Sequence, residues 1–573
     1  RHLAGSYGVD RTPPPPPSGP SGPSGLSDLS GPHTADSDEE SGDVVGVITR
    51  TDLINTLVEE PARIPETLLP ESRREKNIRS LLQERLPDTH FRLLELAGRL
   101  GDRLDVPVYA VGGFVRDILL GRPNLDLDVV VEGDGIAFAR ALADELGGRM
   151  RAHHKFKTAV VIFPAWESAT RRGGNGRPLA VPDATQDAAQ DATPDAAQDV
   201  TLNVLPATGI SGTTTPPALP IAGNASNEAT AEAAHRAAAR PEQRIDVATA
   251  RLEYYEYPAA LPTVELSSIK MDLYRRDFTI NAQAVQLNDA HFGRLVDFFG
   301  AQRDMKDKVI RVLHSLSFVE DPTRILRAIR FEKRYDFRIG AQCERLIKNA
   351  LQLGMMDRLS GARLFHELKL IFDEKAPLPC IRRMEDYDIL RLIHPLLKLN
   401  PAKMDVLTEL ERVLHWYRLL YLSPAPEPWM LYLLGLCGNG KYLDVAAVTD
   451  RLAFSRKVRQ DFLTLRENVR EVYNLLNLWM QRDGSMSGLN NLLSPIAPEG
   501  ILYLMARAKT EDARKHISYY LTRLRGETPD ITGNDLLAMG IPAGPAYGRV
   551  LRRVLAAKLD GLARTRAAQL DLA

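Results

Sequence analysis

Short apolar runs bounded by glycine and proline dominate the early-middle part of the chain, and helical spacing dominates the rest. Residues 106–111 form an apolar run that predicts a buried strand ending at Gly112 and Gly113. A short helical segment over 114–120 follows, broken by Gly121, Arg122 and Pro123, and then a second strand carries Asp126 and Asp128. Residues 135–146 predict an amphipathic helix, and 157–163 (KTAVVIF) and 244–251 (RIDVATAR) predict two strands that pair. Before this region, LLQERL and HFRLLELAGRLGDRL place apolar residues at helical spacing, so 61–105 reads as connecting helices. Beyond about residue 300 the pattern is helical, with loops at prolines, as in PLLKLNPAK and SPAPEPW.

Composition changes this picture in three places. Residues 1–43 (TPPPPPSGPSGPSG, then DSDEESGD) and 167–243, with its near-repeat DATQDAAQDATPDAAQD, bury too little apolar surface to order themselves. The second stretch reads as a disordered insertion between the two pairing strands, carrying no chemistry. Cys343, Cys380 and Cys437 are widely spaced, match neither a zinc nor a disulfide pattern, and suit a reducing cytoplasm. No apolar run reaches about 18 residues, so no membrane association is expected. The net charge of −1 excludes a global basic field, and any nucleic-acid surface must be local. At roughly 150 residues per domain, 573 residues suggest about four. The chain begins at Arg1, in low-complexity sequence, and is expected to be a fragment of something longer.

The chemistry concentrates in 108–131, VYAVGGFVRDILLGRPNLDLDVVV. Side chains alternate along a strand, so Asp126 and Asp128 point the same way. Two like charges on an apolar strand are costly unless a cation lies between them, and a pair of divalent ions would serve. Gly112 and Gly113 let backbone N–H groups approach a phosphate, aided by the helix start, and Arg116 could reach a triphosphate. Further on, RRDFTINA (275–282) offers two guanidinium forks, with Asp277 and Asn281 four apart on one helix face. In EDPTRILRAIRF (320–331), Pro322 at a helix's first position makes Asp321 a natural N-cap, and Arg324 and Arg327 share a neighbouring face.

GGFVRD with LDLD, then RRDFTINA and EDPTRILRAIRF in order, resembles the class II tRNA nucleotidyltransferase and bacterial poly(A) polymerase family, within the polymerase-beta-like superfamily. The resemblance implies an α/β catalytic head with a mixed sheet (106–300), then an all-α neck (301–372), body (373–480) and tRNA-binding tail (481–573). It implies template-independent transfer of CMP and/or AMP from CTP or ATP to the 3′ end of tRNA, with release of pyrophosphate. Two Mg²⁺ ions would sit on Asp126 and Asp128, with Asp246 a third acidic candidate. Gly112, Gly113, Arg116, Arg251, Arg276, Asp277 and Asn281 would hold the nucleotide. Asp321, Arg324 and Arg327 belong to the helix that reads the base. Residues 253–270, with Tyr254, Tyr255 and Tyr257, correspond to a mobile loop.

Residues 44–60 resemble the last strand and helix of a CBS motif, in which Thr49 and Asp52 would hold an adenosine nucleotide. Arg549, Arg552, Arg553 and Lys558 in the basic C-terminal run are candidates for tRNA phosphate contacts. CCA, CC-only and A-only addition and poly(A) synthesis share these signatures, so they stay open together. A reading from another class, a non-catalytic RNA-binding or adenylate-sensing protein on a decayed catalytic domain, also stays open. The pattern does not indicate an oligomeric state.

Overall fold

The computed structural model describes residues 76–164, 242–254, 263–482, 484–542 and 544–573. The low-complexity start, the CBS-like piece, most of the insertion and Tyr255 and Tyr257 lie outside them. Two helices, α1 (Arg79–Arg85) and α2 (Asp88–Arg103), lead into the head. There follow β1 (Val108–Val111), α3 (Gly113–Leu120), β2 (Asp128–Val131), α4 (Gly135–Glu145), β3 (Arg149–His153), β4 (Thr158–Pro164) and β5 (Glu242–Thr249). With β8 (Ala284–Gln286) and β9 (Leu295–Val296) they make one seven-stranded mixed sheet, ordered β3-β4-β5-β2-β1-β8-β9. Strands β4 and β5 pair as expected, in antiparallel orientation, but β5 begins at Glu242, so two residues assigned to the insertion are strand. Glu242 pairs opposite Pro164, and its carboxylate meets Arg149.

Period two divides each central strand between two cores. Val108, Ala110, Val129, Val131, Ile245 and Val247 pack with α2 and α4, while Tyr109, Val111 and Val130 face the other side. That second face is covered by α5 (Ile269–Tyr274) and by the segment after it, through Ile269, Leu273 and Ala282. Between β5 and α5, β6 (Arg251–Tyr254) and β7 (Thr263–Leu266) pair as an antiparallel ribbon, where the sequence suggested only a loop.

The remaining chain is helical apart from the short strands Val309–Ile310 and Arg338–Ile339. Helix α6 (Ala301–Lys306) packs on the turn at Thr279–Asn281, and α7 (Ser317–Glu320) and α9 (Gly361–Phe372) pack against α8 (Thr323–Tyr335). One continuous core joins buried residues from Phe278 to Leu524, and a small separate one gathers Ile531, Leu536 and Val554. Lys558, expected on phosphate, is engaged by Asp530 at 2.8 Å and Glu527 at 3.0 Å. No helix among the described residues is long and apolar enough to cross a membrane.

Candidate functional site

The carboxylates come first. Strand β2 starts at Asp128, so Asp126 lies in the segment before it, with its backbone N–H donating to Asn124 Oδ1 at 2.9 Å. Asp128 is the parallel register partner of Asp246 on β5, which puts the two on neighbouring strands about 4.8 Å apart. Both line one cleft with Gly112, Gly113 and Arg276 on one side and Asp321 and Arg324 on another. Burial raises the Asp246 carboxyl above the usual carboxylate range, with Arg244 only partly opposing it. The register brings Asp246, the third acidic candidate, beside Asp128 in the cleft.

Gly112 has φ 70° and ψ −135°, a conformation open to glycine. A Cβ there would stand 2.7 Å from Arg276 Nη1 and 3.7 Å from Asp128 Oδ2, so the turn runs directly beneath both groups. No side chain caps the start of α3, leaving first-turn N–H groups beside them. Two atoms of the cleft lining, Arg276 Nε and Thr158 Oγ1, are buried with no hydrogen-bond partner among the described residues. Orphaned donors of this kind in a polar cleft suit a ligand that would satisfy them.

The other arginines are committed differently. Arg116 was expected on phosphate, but Nε and Nη2 donate to Asp117 at 2.9 and 2.8 Å and Nη1 donates to Asn281 Oδ1 at 2.6 Å. Its guanidinium also lies 4.5 Å from the Tyr335 ring centre, and the residue is 1% exposed. Its planar fork is spent on the protein, and Arg116 braces the cleft wall. Asn281 in turn donates to Asp277 at 3.0 Å, from a 3-10 turn instead of the expected helix face. Asp277 accepts from Arg327 Nε at 2.8 Å. Burial works against the Asp277 charge, yet Arg327 and Asn281 hold its carboxyl below the usual range. Arg251 donates to the Phe156 carbonyl at 2.6 Å and pairs with Glu253 at 3.1 Å.

Helix α8 starts one residue later than the proline pattern suggests, with Pro322 at the cap position. Asp321 still caps it, accepting from Thr323 N at 3.0 Å and Thr323 Oγ1 at 2.6 Å. Both bonds, and the 2.7 Å ion pair with Arg363 of α9, fall on Oδ1. Arg324 is held by Ser317 Oγ at 2.7 Å and the Arg275 carbonyl at 3.0 Å.

Glu253, Asp272, Ser317 and Arg363 were missed from sequence. Asp272 carries a local signal, an acid three and four residues ahead of two arginines. Arg363 carries none, because α9 meets Asp321 only through the fold.

The head domain model described as "Poly A polymerase head domain" matches residues 108–215 and 221–311. A second, "Probable RNA and SrmB- binding site of polymerase A", matches 336–399. The A-adding tRNA nucleotidyltransferase of Geobacter sulfurreducens is 40% identical over 92% of this chain, which spans about half of that relative's length (52%). The A-adding tRNA nucleotidyltransferase of Halalkalibacterium halodurans is 28% identical over 84% of this chain and 91% of its own. The solved structure of the Thermotoga maritima CCA-adding enzyme complexed with tRNA is 32% identical, with TM-score 0.59, covering 87% of this chain and 98% of that one.

Proposed function

Because the chain belongs to the class II tRNA nucleotidyltransferase and bacterial poly(A) polymerase family, we propose that it transfers AMP from ATP to the 3′ end of tRNA, releasing pyrophosphate. The observation that carries this reading is the single cleft in which Asp128 and Asp246 face the Gly112 turn, Arg276 and the Asp321–Arg324 pair. AMP is chosen because both relatives described above are named A-adding. CMP addition, alone or before AMP, is the second reading, since the head of a CCA-adding enzyme is built alike.

Enzymes of this family generally depend on a divalent metal. Among the described residues no group of three or more His, Cys, Asp or Glu side chains gathers as a ready metal cage. Mg²⁺ rarely uses one, taking one or two carboxylates together with substrate phosphates. An all-oxygen donor set, with a buried carboxyl whose charge is disfavoured until a cation arrives, fits that ion. Asp126 and Asp128 would hold two Mg²⁺, with Asp246 beside them. When bound, the ions lower the pKa of the RNA 3′-hydroxyl and neutralise the triphosphate.

The chain's own groups do the rest. The Gly112 turn and Arg276 hold the phosphates so that the 3′-oxygen attacks the α-phosphate in line and pyrophosphate leaves. Asp321 accepts from, and Arg324 donates to, the base edge, so no template strand is needed. A base with the wrong edge leaves one of these buried groups unpaired.

Incubation with tRNAs ending in the discriminator base, in C or in CC, with each nucleoside triphosphate separately, separates the alternatives. The A-adding reading expects ATP alone to extend only the CC-ended tRNA, by one residue. Extension of shorter ends by CTP would replace it with the second reading. Asp321→Ala is expected to lower ATP incorporation about a hundredfold and to narrow the preference for ATP over GTP. A retained preference would remove Asp321 from base reading.

A further inference from the structure

Asp272 on α5 is 0% exposed, yet it is surrounded by cations. Its Oδ1 accepts from Arg275 Nε at 3.0 Å and Nη2 at 2.9 Å, and Oδ2 accepts from Arg276 Nη2 at 3.1 Å. Burial would raise its carboxyl, but the Arg275 and Arg276 guanidiniums outweigh that and hold it below the usual carboxylate range. Arg275 also lines the cleft but is engaged on both edges, since its Nη1 pairs with Glu253 at 2.6 Å. Arg276 is different. Only its Nη2 is fixed to Asp272. Nη1 lies over the Gly112 turn, and Nε is one of the orphaned donors of the cleft.

We propose that Asp272 is a positioning residue for triphosphate binding, fixing one edge of the Arg276 fork so that its other donors stand over the Gly112 turn. The assignment deepens the functional reading above and rests on it. A guanidinium at the end of a long side chain carries considerable rotamer entropy, and a buried carboxylate removes that freedom before the nucleotide arrives. Arg275, paired with the other carboxylate oxygen, supplies counter-charge to Asp272 while Arg276 shares its own charge with phosphate. Two adjacent arginines of one motif thus take separate parts, both pairing with the carboxylate and only Arg276 reaching the ligand as well.

The test is the binding of ATP, by calorimetry, beside steady-state kinetics on CC-ended tRNA. Asp272→Asn keeps the shape and removes the charge. It should weaken ATP binding and raise its KM about ten- to a hundredfold, with the smaller share of the loss in kcat. Asp272→Glu should recover part of the loss. Arg276→Ala should match Asp272→Asn, and the double variant should be no worse than Arg276→Ala alone, because Asp272 acts only through that side chain. Unchanged ATP affinity in Asp272→Asn overturns the proposal, as does a double variant in which the two losses multiply. If Asp272→Asn fails to fold, Arg276→Lys decides. A lysine keeps the charge but cannot hold Oδ2 while covering the turn, so at least a tenfold loss is expected, and near-wild-type affinity overturns the proposal. A wild-type chain that binds neither ATP nor CTP overturns the functional reading itself, and this assignment with it.

Discussion

Asp128→Asn is expected to reduce AMP incorporation into tRNA by roughly a thousandfold or more, about 4 kcal/mol of transition-state stabilisation. The substitution keeps the side-chain shape at the start of β2, so the register with Asp246 and the strand itself should persist. What disappears is the negative charge that would bind the divalent ion, and with the ion the positive charge that would balance the reacting phosphate. ATP binding should weaken far less than turnover, because the Gly112 turn and Arg276 remain in place. Single-turnover assays at saturating ATP and Mg²⁺ separate these terms. A variant that retains more than a tenth of wild-type turnover would remove Asp128 from the chemistry and favour a protein that only binds RNA.

Arg116→Ala is expected to destabilise the protein by about 3–5 kcal/mol without any nucleotide present. The reason is the commitment of all three guanidinium nitrogens to Asp117 and Asn281 at 2.6–2.9 Å in a site that is 1% exposed. Removing the cation leaves the buried Asp117 carboxylate with the Asn124 amide, which donates to it at 2.9 Å, in place of a charged partner. It also leaves the Asn281 Oδ1 acceptor without its arginine. Arg116→Lys should rescue only part, since a point charge cannot serve three directions at once. Denaturant unfolding of the apo protein measures this directly. A phosphate ligand held ready in an open cleft would give the opposite result, with stability unchanged and nucleotide affinity lost.

These two predictions draw on different layers of information. The Gly112–Gly113 turn, the strand ending in it, the pair of strands at 157–163 and 244–251 and the helix of EDPTRILRAIRF were all legible locally. Each depends on periodicity, glycine or proline within a few residues. The cap at Asp321 was legible too, although its helix begins one residue later. Side-chain direction was harder. GGFVRD places Arg116 in the first turns of a helix beside a phosphate-binding turn, and nothing local says that its partner Asn281 waits 165 positions away. Arg275 and Arg276 are neighbours in one motif, yet only the packing of β6 against α5 brings Glu253 to Arg275 and engages its second edge. Asp126 and Asp128 looked equivalent by alternation, but the strand ladder begins at Asp128, and only Asp128 gains a register partner in Asp246.

The sequence by itself determined the family, the order of the signatures and the residue types able to meet phosphate, metal and base. Those follow from spacing along a few turns of backbone, which short-range sterics and hydrogen bonding govern. The tertiary structure alone decided which charges point into the cleft and which hold its walls. A buried charge must find its counter-charge wherever the fold brings one, and for Arg327 and Asp321 it comes from a distant position, whereas Arg116 pairs with the adjacent Asp117 and gains only the neutral Asn281 acceptor from afar.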